Sequence, residues 1–238
     1  MDSVVLPRNT IVRIELPRTV YEAIANHLRT VGRRAHRGWE VNQANEDSLT
    51  GATFSELQTR RTRHVRVDGL DWLWRVKSYK FGSGGRGSQE KRMGADGIIE
   101  IEVTHRDSGE IEHKSLLIQA KKQWTGKDSR LLDQINRMEE LAPGSSAAVN
   151  YNPQGYSGVS GQDVLVAEGS RNRLQNNQIV SLGDFLADRY LACQVGVKGL
   201  YYDSRRRQLR LPPQPNAPDA IEFMIQERLR IEIEETPR

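Results

Sequence analysis

Two spacings of apolar residues alternate along the chain. In TVYEAIANHLRTV (19–31), Val20, Ala23, Ile24, His27 and Leu28 share one face at helical period, with Thr19 as the expected cap. The preceding NTIVRIEL alternates as a strand does, and Pro17 closes it. From Val41 to about Arg60 a second helix is expected, with Leu49, Thr53 and Leu57 facing inward. Glu46 falls on that same inward face, whereas Asp47 is rotated away by about 100°. Two short strands follow in HVRVDGLDWLWRVKSYK, where Trp72 and Trp74 point to one side.

A Gly- and Ser-rich loop carrying Arg86, Lys91 and Arg92 separates those strands from IIEIEVT (98–104) and SLLIQAK (115–121), which read as a hairpin around RDSGE. KDSRLLDQINRMEELAPG then sets Leu131, Leu132, Ile135, Met138 and Leu141 on one helical stripe, closed by Pro143 and Gly144. Strands are expected again in SSAAVNYNP and DVLVAEG, a helix over 182–193, and strands in VGVKGLYYD, RQLRL and the terminal LRIEIE. The alternation of strands with helices predicts an α/β fold with a mixed sheet flanked by helices. Three segments are expected: an N-terminal strand–helix extension (1–40), a core (41–194), and a C-terminal extension (195–238) packed on the core or used for oligomer or partner contacts.

Composition narrows the class. The 238 residues are 37% hydrophobic and 28% charged, with a mean hydropathy of −0.66, as for a globular chain with a charged surface. No apolar run approaches the roughly 20 residues of a membrane helix, and no secretory signal opens the chain, so a soluble cytoplasmic protein is expected. A single cysteine, Cys193, excludes an internal disulfide and a thiolate zinc site, and its apolar setting marks it as a small core residue. The five histidines are scattered, with no metal-binding spacing, and no Gly-x-Ser-x-Gly elbow argues for acyl transfer. Net charge is +4, but arginines cluster at 33, 34 and 37, at 60, 61, 63 and 66, and at 205, 206, 207 and 210. Such clusters suit a phosphate backbone or, equally, a solvated face.

The chemistry concentrates in GADGIIEIEV (94–103) and LLIQAKK (116–122). If the hairpin pairs the start of one strand with the end of the other, Asp96 arrives beside Gln119 and Lys121, which share a strand face while Lys122 takes the opposite one. A carboxylate, a carbonyl oxygen and water make a hard oxygen site suited to Mg²⁺, with a lysine near enough to orient or deprotonate water. Gly94, Ala95 and Gly97 would leave room for a phosphodiester.

This arrangement resembles the PD-(D/E)XK nuclease superfamily, the restriction-endonuclease-like fold, over about residues 40–167. The nearer resemblance is to Mrr-like and related defence nucleases in which the middle acidic residue is glutamine, giving D…QxK. The resemblance implies Asp96 as main metal ligand, Gln119 as neutral ligand, the Ala120 carbonyl as backbone ligand, Lys121 as the water-activating residue and Glu46 as the helix carboxylate. It further implies a Mg²⁺-dependent endodeoxyribonuclease, with Mn²⁺ as a substitute, acting on double-stranded DNA in an anti-phage or restriction system. Arg86, Lys91, Arg92 and Lys122 are the expected DNA contacts. One such site cuts one strand, so a homodimer or higher oligomer is expected, and a sensor or ATPase partner would select the target.

A different class of reading stays open beside it. Gln119 carries one negative charge fewer than the commoner acidic residue, which lowers metal affinity and admits a nuclease-fold module that only binds nucleic acid or a partner protein. Residue by residue, Asp96 also suits a turn cap, Lys121 a strand-edge charge, and Glu46 a carboxylate at a helix N-terminus.

Overall fold

The computed structural model describes residues 14–81, 95–213, 218–223 and 225–236. Helix α1 (Arg18–Gly32) follows Pro17, which occupies the cap position without a side-chain hydrogen bond; Thr19 lies inside the helix and exposed rather than capping it. Val20, Ile24 and Leu28 on its inner face are fully buried. Most of the expected N-terminal strand lies outside the described residues.

The helix expected from Val41 to about Arg60 is two pieces, α2 (Trp39–Asn42) and α3 (Glu46–Leu57). Asn45 makes the break: its backbone is extended and its side chain accepts from the Ser48 N–H at 2.8 Å, a cap that starts a new helix.

Strands β1 (Arg63–Val67) and β2 (Leu70–Lys80) form a hairpin whose turn residues Asp68 and Gly69 both have positive φ. A second hairpin joins β3 (Gly97–His105) to β4 (Glu110–Lys122). Helix α4 (Ser129–Leu141) crosses over to β5 (Ser146–Tyr151), which runs parallel to β4. Beyond it lie β6 (Ser157–Ser160) and β7 (Val180–Ser181), while β8 (Val197–Lys198) pairs with β4. Residues 163–166, expected to begin a strand, instead belong to helix α5 (Gly161–Val166), because Ser160 caps it by accepting from the Asp163 N–H. The helix expected over 182–193 is a turn of α-helix, Leu182–Asp184, running into a π-helix, Phe185–Leu191. A small second sheet contains β9 (Tyr201–Asp203), β10 (Gln208–Arg210) and β11 (Ala220–Glu222).

The last strand, β12 (Glu227–Thr236), is an interior one. It lies between β2, to which it is antiparallel, and β3, to which it is parallel. The segment expected as a C-terminal extension therefore supplies the strand that joins the two hairpins into one sheet. The fold is mixed α/β, with a mixed sheet covered on both faces.

Side-chain alternation assigns the faces. Ile99, Ile101 and Val103 of β3 pack with Leu116, Ile118 and Ala120 of β4 against α1, α3 and the π-helix. Ile98 and Leu117 turn the other way, to α4, α5 and the small sheet. On that second face Glu100 is buried with Arg228, and its other oxygen accepts from the Tyr202 N–H at 2.6 Å, tying the small sheet to the large one. Among the described residues no helix is long and apolar enough to cross a membrane.

Candidate functional site

Strand β4 outruns its neighbour. Its pairing with β3 stops at Gly97↔Ile118, while its pairing with β5 continues to Lys122↔Tyr151. On the vacated side the N–H groups of Ala120 and Lys122 lack strand partners, and a buried or half-buried N–H left unpaired is costly. Two carboxylates meet them. Asp96 Oδ2 accepts from Ala120 N at 2.7 Å, and Glu46 Oε1 accepts from Lys122 N at 3.0 Å. The overhang of one strand thus gathers both acids, one from the mouth of β3 and one from the first turn of α3.

Gln119 is buried, at 2% exposure, and its Nε2 donates to Asp96 Oδ2 and to the Ala120 carbonyl. Its Oε1 is buried with no hydrogen-bond partner among the described residues. That orphaned acceptor fits an oxygen-ligated cation, because the carboxylate, the Ala120 carbonyl and the carboxamide already adjoin and the two ends of an amide exchange by a half turn. Among the described residues no three His, Cys, Asp or Glu side chains converge on one point. A cation here would therefore rest on carboxylates together with neutral oxygens.

Lys121 points to the opposite layer from Lys122. Its side chain is 9% exposed and its Nζ stands 3.2 Å from Asp128 Oδ2. Asp128 also caps α4, accepting from Leu131 N at 2.8 Å, so one carboxylate fixes both the helix start and the lysine. An Asp just before an amphipathic helix is a legible cap signal, but its ion pair with Lys121 is set by the crossover geometry.

Lys122 Nζ donates to the Gln43 carbonyl at 2.6 Å and lies 5.7 Å from the Trp39 ring centroid, anchoring the α2–α3 connection. Arg86, Lys91 and Arg92 lie outside the described residues, as does Gly94. Ala95 is core, and Gly97 is small for a structural reason: a Cβ there would come within 2.9 Å of the Glu227 carbonyl on β12. Ala95 and Gly97 thus have a packing reason for their small size.

Below the site Tyr151 is fully buried, its hydroxyl donating to Thr50 Oγ1 at 3.2 Å, and Thr50 donates to the Glu46 carbonyl at 2.9 Å. Burial first, with small opposing effects from Thr50 and Thr53, pushes the Tyr151 phenol well above its usual range, so it remains a neutral buttress.

No protein-family model, curated protein or solved structure matches the chain.

Proposed function

We propose that the chain is a Mg²⁺-dependent endodeoxyribonuclease whose site is the overhanging end of β4. The observation that carries this reading is the junction of the Asp96 carboxylate, the Gln119 carboxamide and the Ala120 carbonyl, with the Glu46 carboxylate of α3 on the Lys122 N–H two residues further along the strand. Asp96, Gln119, Ala120 and Glu46 would hold the cation, which when bound supplies Lewis-acid neutralisation of phosphate charge. Lys121, held by Asp128, would orient the attacking water and assist its deprotonation. A place in anti-phage defence, and a restriction-endonuclease-like topology in the narrow sense, rest on the sequence resemblance alone.

A second reading has an observation of its own: both carboxylates already satisfy main-chain N–H groups, so the strand end is coherent as architecture without a ligand. That reading makes the chain a nucleic-acid or protein-binding module.

Supercoiled plasmid incubated with Mg²⁺ or Mn²⁺, beside an EDTA control and Lys121→Ala, separates the two. Metal-dependent nicking is expected, with the lysine variant slower by about 10²–10⁴-fold. Cleavage by Lys121→Ala at the wild-type rate would overturn the mechanism assigned to that lysine, and a plasmid that shifts in mobility uncut would overturn the nuclease reading in favour of the binding module.

A further inference from the structure

Beyond Lys121 the site's layer continues, through Asp128, into a short ladder between two loops. Asp128 N donates to the Gly169 carbonyl and Arg171 N to the Gly126 carbonyl, each at 2.9 Å, so Lys127 and Ser170 stand opposite each other as an antiparallel pair. Residues facing each other across such a pair put their side chains on one side, and the residue after each turns to the other. Ser170 and Asp128 have the extended backbone that this alternation requires. Asp128 and Arg171 therefore share the face opposite to Lys127. Asp128 marks that face as the one that holds the Lys121 ammonium.

Arg171 is the uncompensated charge there. It is a diagonal neighbour of Asp128, at a Cα separation of about 7–8 Å that an arginine side chain can span, yet the carboxylate is committed to Lys121 and to Leu131 N. The partly buried Arg171 side chain enters no ion pair or hydrogen bond among the described residues. Arg173, in the same 3₁₀ turn, is by contrast paired with Glu168 at 2.6 Å. Directly across the ladder from Arg171 is Gly126, where a Cβ would meet nothing within 4 Å. The Gly126 carbonyl accepts from Trp124 Nε1 as well as from Arg171 N, both at 2.9 Å, so this bare position is held in place.

A free guanidinium beside open space, next to a lysine whose charge is already neutralised, fits an anion offering two oxygens. A phosphodiester does so, and a guanidinium meets it with two parallel N–H groups. The Asp96 and Glu46 carboxylates at the strand end repel a phosphate backbone, so a nucleic acid laid there needs a cation outside the metal-binding junction. We propose that Arg171 is a phosphate-binding residue of this site, holding over Gly126 a phosphodiester next to the one at Lys121 in a DNA strand. The inference rests on the nuclease reading for the phosphate at Lys121, but the Arg171 contact is measurable without cleavage.

Fluorescence anisotropy of a labelled DNA duplex titrated with the full chain, in EDTA and separately in Ca²⁺ with the duplex verified intact, reads affinity against salt. Loss of one phosphate contact is expected to make the slope of log K against log salt shallower by about 0.9 in Arg171→Ala, and to weaken binding about 10- to 100-fold at low salt. Arg171→Lys keeps the charge and is expected to keep the slope while losing part of the affinity. Gly126→Glu sets a carboxylate where the phosphate would lie and is expected to bind as weakly as Arg171→Ala. Gly126 lies outside the left-handed region, so this variant should keep its thermal transition, and it carries the test if Arg171→Ala does not fold. Arg173→Ala is expected to keep the wild-type slope. A wild-type slope in Arg171→Ala, an equal change in Arg173→Ala, or no binding by the wild-type chain in either condition would overturn the proposal. Plasmid nicking by the wild type beside an unchanged slope in Arg171→Ala sinks this contact and leaves the nuclease reading standing; a shallower slope with no nicking in Mg²⁺ does the reverse.

Discussion

Asp96 has a structural duty that can be separated from any metal. Removing its carboxylate leaves the Ala120 N–H without its acceptor, so Asp96→Ala is expected to lower unfolding free energy by about 1–3 kcal/mol in denaturant titration. Asp96→Asn keeps a carbonyl acceptor and should cost less stability, yet lose metal-dependent cleavage just as fully. His27 gives a pH signature. Burial pushes its imidazole below the usual 6.5, opposed by its bond with the Leu57 carbonyl. The unfolded chain therefore binds the proton more tightly, and the stability is present above pH 6.5 and lost as pH falls from there through the depressed folded value. Melting temperature should fall on acidification through that window, and His27→Gln should flatten the slope; His113, also depressed by burial, keeps part of it. Strand parity and hairpin spacing made the meeting of Asp96 with Gln119 legible in the sequence. The pairing of Lys121 with Asp128 was not, because it depends on a contact across a crossover.

At the scale of elements, the regular periods of α1, β3, β4 and α4 were readable because each buries one face against a single core. The breaks were harder: Asn45 ends one helix and begins another through a side-chain cap, and Ser160 turns an apolar stretch expected as a strand into α5. The alternation of LRIEIE announced β12 as a strand but not its neighbours, since β2 and β3 lie well over a hundred residues earlier in the chain. Its importance is measurable. Ile231 is fully buried between the two hairpins, and Ile231→Ala is expected to cost about 2–5 kcal/mol in chemical denaturation.

Across the whole molecule, the small sheet meets the large one at a buried charge pair of the large sheet, Arg228 and Glu100, whose side chains are 6% and 1% exposed and whose carboxylate accepts from Tyr202 N. Breaking the pair on one side strands a charge in the interior. Arg228→Met is expected to destabilise by about 3–5 kcal/mol, and adding Glu100→Gln, which removes the charge and keeps an acceptor for Tyr202 N, should recover part of it, as read from paired denaturation curves. The layering followed from the mixture of periods, whereas the position of β12 could not, because sheet order is a property of long-range pairing. That position also sets a timetable. β2 and β3 stand one strand apart, a gap of about 9.5 Å that only residues 227–236 fill. Until residues 227–236 have been delivered, the strand that begins beside Asp96 has an open edge. The edge beside the proposed site is thus closed last, when residues 227–236 pair with both hairpins.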